Sequence, residues 1–479
     1  MNEKCGICGV SLDKEAELVL YRMLVQMQHR GQLSAGITTY RPHEDHILET
    51  HKDIGLVNTV FRAEHAAKFS SVMQKLSSKR GIGHVRYATS GGDNPDFAQP
   101  FEHFHGKKHR WFSMCFNGNI ANYPQLLKDL EKQNYHLVRK TDTEIILLLL
   151  ARSLKDNKNL VESFGKIHGQ LDGAYNIALI NADGTLAAVR DPMGFKPLCY
   201  AEKDGEIAFA SESVALENNG FGNIRDLEPG EMLVKEKDSF KVSRYCEKGR
   251  KAHCFFECVY FAHPASKIEK RLVYNARYEL GKELAKRETE SLGKDVVVVA
   301  VPDSSTPAGY GFAEELCIPI KEGLIRNRYV GRTFIQSRDR AQRVKEKFML
   351  VKDIFKDKKV FLVEDSIVRG TTLKNLIAYI RANGSPKEIH VRVSCPPITH
   401  PCFYGIDMST RKELIAVRKK EEEIAKEIGA DSVRYQDIDG MVKAIGLPKG
   451  DLCMACLNGE YPTEAGKKCS ERDGQCKLH

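Results

Sequence analysis

Residues Val360–Thr372, VFLVEDSIVRGTT, place four apolar residues, two carboxylates and a Gly-Thr-Thr turn directly before a helical run, TLKNLIAYIRANG. The same order, an apolar strand that ends in polar residues, recurs in DVVVVAVPDSS and EIHVRVSCPP. Short apolar strands that alternate with helices indicate a parallel α/β sheet. Ligands of such sheets bind beyond the carboxyl ends of the strands. We therefore expect a binding site at the end of the Val360 strand.

The chain before Val242 has a different pattern. Short β-rich runs, AYNIALI, TLAAVRD and EIAFASES, are separated by turn residues and accompanied by two or three helical stretches. This pattern favours stacked antiparallel sheets with flanking helices. We therefore expect domains at residues 5–245 and 255–437, followed by a Cys-bearing tail at 438–479.

Composition restricts the compartment and the class of protein. The 479 residues, 42% hydrophobic and 29% charged, are typical of a folded globular protein. The longest apolar run, Ile145–Ala151, is too short to span a bilayer, and the charged N-terminus lacks the apolar region of a signal peptide. We expect a cytoplasmic protein without membrane contact. Its fourteen cysteines then serve as metal ligands, catalytic groups or buried thiols rather than as disulfides.

The net charge of +9 is compatible with nucleic acid, with a pocket for a small polyanion, or with a solvated basic surface. Lys and Arg are spread along the chain with few aromatic residues between them, and no DNA- or RNA-binding signature is found. We expect no nucleic-acid partner.

Each part of the Val360–Thr372 stretch has a chemical use. Glu364 and Asp365 are placed for ribose hydroxyls, directly or through Mg²⁺, and the turn at 369–372 offers donors at a helix N-terminus, which suits a phosphate. The alternative is an ordinary strand–turn–helix with a capping Thr. The whole stretch resembles the motif of the type I phosphoribosyltransferases, which use phosphoribosyl pyrophosphate (PRPP). The resemblance implies an α/β transferase domain and PRPP contacts from Asp365, Ser366, Arg369, Gly370, Thr371 and Thr372.

Two further segments point to the same chemistry. The strand end VPDSS, which contains Ser304, offers hydroxyl and carboxylate groups for a metal or pyrophosphate. The basic segment RNRYVGRTFIQ, with Arg326, Arg328 and Arg332, can fold over a pyrophosphate leaving group and exclude water. Its alternative is a solvated charged loop. Of these arginines, we assign Arg332 to PRPP binding.

Polar groups interrupt the apolar runs of the first half in QHRGQLSAGI, GIGHVRYATSGG, CFNGNIANY and KTDTE. Together with Cys-Gly near the N-terminus, these motifs resemble the glutamine-hydrolysing domain of the class II, or N-terminal nucleophile, amidotransferases. The resemblance implies an αββα sandwich. It also implies removal of residues 1–4, after which the α-amino group of Cys5, with a pKa of about 8, acts as base for its own thiol. The implied roles are oxyanion hole for Asn117 and Gly118, α-carboxylate binding for Arg86, and α-ammonium binding for Asp142.

The Cys5-x-x-Cys8 pair has a second interpretation, a metal clip. If Cys5 is the nucleophile, Cys8 is a small buried residue on the first strand.

A class II glutaminase followed by a PRPP site resembles the glutamine PRPP amidotransferase family, with motifs from Cys5 to about Glu464 that include DPMGFKPL, HPCFYGID and YPTE. The resemblance implies that ammonia from glutamine passes through an internal channel to PRPP, giving 5-phosphoribosylamine, glutamate and pyrophosphate in the first step of purine synthesis. It also implies purine nucleotide feedback inhibitors and a homo-oligomer, either a tetramer or a dimer. The implied Mg²⁺ ligands are Ser304, Glu364 and Asp365.

Many members of this family carry a [4Fe–4S] cluster. From spacing alone only CMAC, Cys453 and Cys456, looks like a ligand pair, and zinc would use it equally well. The resemblance adds Cys254 and Cys402 as cluster ligands, whereas Cys258, Cys395, Cys469 and Cys476 are spare.

The chain departs from the family pattern in several places. The acidic pair is Glu364-Asp365 rather than Asp-Asp, and the segment CVYFAHPAS carries Cys258, His263 and Ala265 where Tyr, Arg and Asp are usual. This segment joins the two predicted domains, so the departures bear on their coupling. Two alternatives to the amidotransferase therefore stand: a PRPP- or nucleotide-sensing protein without catalysis, and a related amidotransferase that acts on another phosphosugar.

Overall fold

Two antiparallel sheets form the first half of the chain in this computed structural model, which describes residues 5–87, 94–237, 239–327, 345–406 and 410–471. The first sheet has the order β11-β9-β10-β1-β4-β2-β3 and the second the order β13-β12-β8-β7-β6-β5. The strands of the first sheet are β1 (Gly6–Ser11), β2 (Ser34–Tyr40), β3 (Leu48–Ile54), β4 (Arg80–Arg86), β9 (Cys199–Lys203), β10 (Glu206–Ala210) and β11 (Arg225–Asp226). Those of the second are β5 (Phe101–His103), β6 (Phe112–Ile120), β7 (Gly173–Asn181), β8 (Leu186–Arg190), β12 (Glu231–Lys235) and β13 (Phe240–Arg244).

The side-chain alternation of β7 shows why the sheets stack. Every residue of β7 is buried, and Ile177 and Leu179 pack against helices, whereas Ala178 and Ile180 pack against the first sheet. A strand with two apolar faces requires a layer on each side. The result is the expected αββα sandwich. Its helices are Ala16–Gln26, Val57–Val60, Ala66–Leu76, Tyr123–Lys132, Asp142–Asp156, Leu160–Ile167 and Ser213–Glu217.

A four-stranded parallel sheet organises the second half, in the order β17-β20-β21-β22. The strands are β17 (Val296–Ala300), β20 (Lys359–Glu364), β21 (Glu388–Val393) and β22 (Ser432–Tyr435). The first three were expected from their apolar runs. Since β17 and β20 are parallel neighbours, the polar residues that follow them meet at one edge. The longer helices of this half are Val273–Ala285, Thr306–Glu315, Thr371–Gly384, Glu421–Ile428 and Ile438–Ile445.

Short elements complete the second half. Three two-stranded pairs join β14 (His253–Cys254) to β23 (Leu452–Cys453), β15 (Lys267–Ile268) to β16 (Arg271–Leu272), and β18 (Leu324–Arg326) to β19 (Phe348–Leu350). The remaining short helices are Lys352–Phe355, Ile415–Arg418, Ala455–Asn458 and Glu464–Glu471.

The segment after residue 437 packs against both halves. Met441 and Ile445, on the Ile438–Ile445 helix, belong to the apolar core around β20 and β21. Further along, the Ala465 N–H donates to Asp172 Oδ2 at 3.0 Å, and Cys469 Sγ lies 3.6 Å from the Ala121 carbonyl oxygen. The Cys-bearing segment therefore connects the sandwich to the parallel sheet.

Among the described residues, no helix combines the length and the apolar character needed to cross a membrane.

We predict that Met441→Ala lowers the free energy of unfolding by about 2–5 kcal/mol, because the fully buried side chain leaves a cavity. Urea denaturation measures the change. Asp439→Ala is the matched control: its side chain is 85% exposed, so its effect should stay within about 0.5 kcal/mol. Equal small effects in both variants would mean that this helix contributes little to the core.

Candidate active sites

The glutaminase candidates converge on one pocket at the edge of the sandwich. Cys5 directly precedes β1, Arg86 ends β4, Gly118 lies in β6, and Asp142 begins the Asp142–Asp156 helix. These elements meet because β1 pairs with β4 in one sheet while β6 and the helix belong to the other layers. The pocket is lined by Cys5, Arg86, Tyr87, Phe97, Gln99, Phe101, Phe116, Gly118, Asn119, Thr141, Asp142 and Thr143.

The oxyanion candidates occupy adjacent positions in β6. Gly118 lies so close to β7 that a Cβ atom there would be 2.0 Å from the Ala174 carbonyl oxygen, so no larger residue fits. Asn117 is buried beside the pocket, and its Nδ2 lies 3.5 Å from Ser211 Oγ. Gly118 lines the pocket together with Cys5, and the side-chain donor of the neighbouring Asn117 faces Ser211.

Arg86 and Asp142 offer opposite charges to an amino acid. Arg86 is 5% exposed and its guanidinium lies over the Phe97 ring, with Cζ 5.5 Å from the ring centroid. A guanidinium group has the planar fork that pairs with a carboxylate. Burial raises the pKa of Asp142 to about 6, against the lowering effect of the Thr143 and Ile120 backbone N–H groups. A buried carboxylate of this kind binds an ammonium group favourably, because the cation offsets the cost of burying the charge.

Two residues without a predicted role complete this site. Ser211 Oγ accepts hydrogen bonds from the Ile7 N–H (3.0 Å) and from Asn117, and so joins β1 to the oxyanion strand. Fully buried Arg30 donates from Nε to the Cys5 carbonyl oxygen at 3.1 Å. Arg30 lies within the QHRGQLSAGI motif. The motif drew attention to this part of the sequence, but it did not predict which carboxylates pair with Arg30.

The arrangement of β1 does not support the metal-clip interpretation of Cys5 and Cys8. Cys8 is fully buried in the apolar cluster on the helix side of the sheet, together with Val10 and Leu24. Cys5 instead lines the pocket. The two side chains therefore lie in different environments. Cys8 is a small buried residue, as the nucleophile interpretation of Cys5 predicted.

The phosphosugar candidates meet where β17 and β20 end. Ser304 Oγ donates to Asp365 Oδ2 at 2.6 Å, and Ser305 Oγ lies 3.4 Å from Glu364 Oε1. Burial, and next to it the charge of Asp365, raises the pKa of Glu364 well above its usual range. Two adjacent carboxylates with a nearby hydroxyl fit Mg²⁺, an oxygen-preferring cation whose charge would relieve their repulsion.

The turn after Asp365 leads into the Thr371–Gly384 helix. Thr371 and Thr372 begin that helix, where backbone N–H groups lack partners within the helix and suit a phosphate. Ser366 Oγ donates to Asp365 Oδ1, and the exposed Arg369 pairs with Glu413 at 3.2 Å. Arg332 and Arg328 fall outside the described residues, whereas Arg326 pairs with Asp303 at 2.5 Å.

Four cysteines from three segments that are distant in sequence lie close together: Cys254, Cys402, Cys453 and Cys456. Cys254 of β14 lies directly opposite Cys453 of β23 in a parallel pair. Burial raises the pKa of the Cys456 thiol well above its usual range, and the neighbouring Cys402, Cys254 and Cys453 thiols raise it further. None of the described cysteines forms a disulfide.

These four thiols form a donor set that a [4Fe–4S] cluster or a structural zinc ion can use. Four thiols in an apolar environment are the usual ligands of a [4Fe–4S] cluster, and the Tyr404 N–H points at Cys402 Sγ from 3.4 Å. Within the described ranges, no set of three or more His, Cys, Asp or Glu side chains is spaced for a single metal ion. Cys469 Sγ lies against the Ala121 carbonyl oxygen, in the apolar cluster on which Cys402 and Cys453 pack. Cys476 falls outside the described residues.

The segment that joins the domains contacts the glutaminase half directly. Glu212 Oε2 accepts from the His263 N–H at 2.8 Å and from Ser266 Oγ at 2.6 Å. The Cys258 carbonyl oxygen accepts from Arg277 Nε at 2.9 Å. Of the unusual residues, His263 and Cys258 make these contacts through backbone groups, so the contacts do not depend on the identity of their side chains.

Comparison with known proteins agrees with this two-site organisation. Residues 84–218 match the model of a glutamine amidotransferase domain, and residues 273–421 match that of a phosphoribosyl transferase domain. The chain is 42% identical to the amidophosphoribosyltransferase of Methanothermobacter thermautotrophicus, over 98% of this chain and 97% of that protein. The chain belongs to the amidophosphoribosyltransferase family.

Solved structures of this family share the fold. The glutamine PRPP amidotransferase of Bacillus subtilis, complexed with ADP and GMP, is 37% identical, with a TM-score of 0.86, and the match covers 96% of this chain and 98% of that one. A second structure, described as the allosteric regulatory enzyme of purine biosynthesis, is also 37% identical, with a TM-score of 0.88 and 99% coverage of each chain. The predicted order of an N-terminal-nucleophile sandwich and a phosphoribosyltransferase domain is confirmed.

We predict that glutamine binding weakens as the pH falls through about 6, because protonation of Asp142 removes the charge that attracts the α-ammonium group. Calorimetric measurement of the glutamine Kd between pH 5 and 8 in Cys5→Ala tests this without turnover. Asp142→Asn should bind glutamine weakly at every pH and lose the dependence. A midpoint that persists in Asp142→Asn would assign the titration to another group.

Proposed function

We propose that this amidophosphoribosyltransferase family member hydrolyses glutamine at Cys5 and transfers the ammonia to PRPP. The products are glutamate, 5-phosphoribosylamine and pyrophosphate, as in the first step of purine synthesis. The observation that carries the proposal is the presence, in one chain, of a pocket with a cysteine between an arginine and a carboxylate and of a carboxylate pair at a phosphosugar turn. A sensor would need only the second.

The glutaminase step uses groups that the pocket supplies. Removal of residues 1–4 would free the Cys5 amine, which takes the thiol proton and returns it to the departing ammonia. Arg86 and Asp142 hold the glutamine α-carboxylate and α-ammonium groups. Asn117 and Gly118 donate to the oxyanion, and one such donor typically contributes about 2.7–4 kcal/mol to the transition state. Water then hydrolyses the thioester to glutamate.

The transferase step uses the edge of the parallel sheet. Glu364 and Asp365 bind the ribose hydroxyls, and the turn from Ser366 to Thr372 binds the 5-phosphate with Arg369. Mg²⁺ held by Ser304, Glu364 and Asp365 would neutralise charge on the pyrophosphate, and we assign Arg332 to the same leaving group. The ammonia lone pair attacks C1 as the bond from C1 to the pyrophosphate oxygen breaks.

The remaining features are proposed on the same basis. We assign residues 5–245 to the glutaminase domain, 255–437 to the transferase domain and 438–479 to the tail. A [4Fe–4S] cluster bound by Cys254, Cys402, Cys453 and Cys456 would connect all three as a structural element. Purine nucleotides are the proposed feedback inhibitors, supported by the ADP and GMP complex of the Bacillus subtilis relative, and a homo-oligomer in the cytoplasm is the proposed working form.

We predict that Cys5→Ala abolishes glutamine hydrolysis and glutamine-dependent PRPP consumption but retains PRPP consumption with ammonium chloride, since only the nucleophile is lost. Glutamate and pyrophosphate release measure the two half-reactions. Cys8→Ala is the matched control, a buried thiol three positions away, and should keep both activities. Glutaminase activity that PRPP does not stimulate would favour another phosphosugar, and absence of activity in the unmodified protein would favour the sensor.

We also predict that native intact mass of protein purified without oxygen shows loss of residues 1–4 and added mass of a [4Fe–4S] cluster. Cys456→Ser should lose the added mass, because it removes one ligand. Cys317→Ser, a change at an exposed thiol, should retain it. Zinc in place of iron would overturn the cluster assignment, and a chain that starts at Met1 would overturn the amine-base mechanism.

A further inference from the structure

The loop that follows Cys402 reaches out of the transferase half into the glutaminase half. Tyr404 stacks on Phe195 with ring centroids 4.3 Å apart and planes 17° apart. Phe403 and Tyr404 are buried in a cluster with Ala121 and Ala174, which flank the oxyanion strand β6 and its partner β7. This loop, residues 402–405, therefore packs against the strands that form the oxyanion hole.

Asn119 makes a direct bond between β6 and this loop. Its Nδ2 donates to the Phe403 carbonyl oxygen at 2.8 Å, and Asn119 is the residue immediately after Gly118. A strand residue beside the oxyanion hole thus takes its side-chain partner from a position 284 residues away.

Lys196 holds the same loop from the other side. Its ammonium group is almost fully buried and donates to the Gly405 carbonyl oxygen at 3.2 Å. Gly405 has a positive φ of 95°, and a Cβ atom there would lie 2.9 Å from Lys196 Cε and 3.4 Å from the Gly118 carbonyl carbon. A Cβ atom at Gly405 would therefore crowd the end of the buried Lys196 side chain and reach van der Waals contact with Gly118.

We propose that Asn119 is a positioning residue that uses the 402–405 loop to hold the Asn117–Gly118 backbone in its catalytic geometry. This inference rests on the proposed glutaminase function. The Asn119 side-chain amide is bonded to the loop and does not itself contact the oxyanion. It orients the neighbouring donors of Asn117 and Gly118. Because the loop carries Cys402, the cysteine site and the oxyanion hole are parts of one structural unit.

The consequence is a selective effect on the chemical step of glutamine hydrolysis. Donors that are misaligned with the developing oxyanion stabilise the transition state less. They do not change the affinity for bound glutamine, because Arg86 and Asp142 hold the substrate. Ammonia-dependent amination of PRPP does not use the oxyanion hole and should be unaffected.

The test compares Asn119→Ala with Asn122→Ala. Asn122 also donates from Nδ2 to a carbonyl oxygen at 2.8 Å, but its partner is Gln170, within the glutaminase half. We expect Asn119→Ala to lower kcat for glutamine hydrolysis roughly tenfold to a hundredfold, with unchanged KM for glutamine and unchanged ammonia-dependent activity. Asn122→Ala should keep the parent kcat.

Gly405→Ala tests the same link from the transferase side. Its Cβ would crowd the end of the Lys196 side chain, which donates to the Gly405 carbonyl oxygen, so we expect the same fall in kcat with ammonia-dependent activity retained. A rise in KM at constant kcat in Asn119→Ala would overturn the proposal by assigning Asn119 to glutamine binding. A parallel loss of both activities would reduce it to a general structural role. If the unmodified protein hydrolyses no glutamine, the proposed function fails instead.

Discussion

The attachment of the two halves of the chain to each other depends on the contacts of one buried group, the guanidinium of Arg30. It contacts the Cys5 carbonyl oxygen, pairs with Glu212 from the glutaminase half, and binds both oxygens of Glu257 from the junction at 2.8 and 3.0 Å. Although burial opposes ionisation, His29 and Arg30 hold the pKa of Glu212 well below its usual range. Removing one partner of such a buried pair typically costs about 3–5 kcal/mol, since an unpaired charge remains. The position of Cys5, the proposed nucleophile, is therefore linked to the domain interface through Arg30.

The other interface contacts surround the same pocket. Glu212 also accepts from Ser266, and Asn119 binds the loop after Cys402. Each bond joins a residue next to a catalytic candidate in the first half to the backbone or side chain of the second. A small movement of the transferase half would therefore reach the glutaminase pocket through at least three separate contacts. This arrangement suits an enzyme that should release ammonia only when an acceptor is bound.

The two sites share one electrostatic principle. Asp142 and Glu364 are both buried carboxylates whose pKa is raised above the usual range, chiefly by burial. The proposed ligand of each would bring positive charge, an α-ammonium group for Asp142 and Mg²⁺ for Glu364. Ligand binding then relieves an unfavourable burial, and selectivity for a cationic group follows from the site itself.

Local sequence predicted several strands of the parallel sheet. The apolar runs of β17, β20 and β21 were recognisable because parallel strands buried on both faces are continuous in hydrophobicity. Asp142 of the KTDTE motif begins a helix in the structure, where Thr141 caps the helix and accepts from the Glu144 N–H at 3.2 Å. Cys5, Arg86, Gly118 and Asp142 could be named in advance from the resemblance, and they share one pocket.

Tertiary structure alone decided which distant groups meet. Arg30 and Glu257 are 227 positions apart, and no periodicity links them, because their meeting depends on how a sheet edge packs on a junction segment. Packing of distant segments also explains the contacts of Ser211 and Asn119. It likewise brings Cys254 next to Cys453. Secondary-structure preference depends on neighbouring residues and can therefore be predicted from sequence. The partners of buried charges and thiols depend on how the sheets and helices pack against one another, which only the tertiary structure determines.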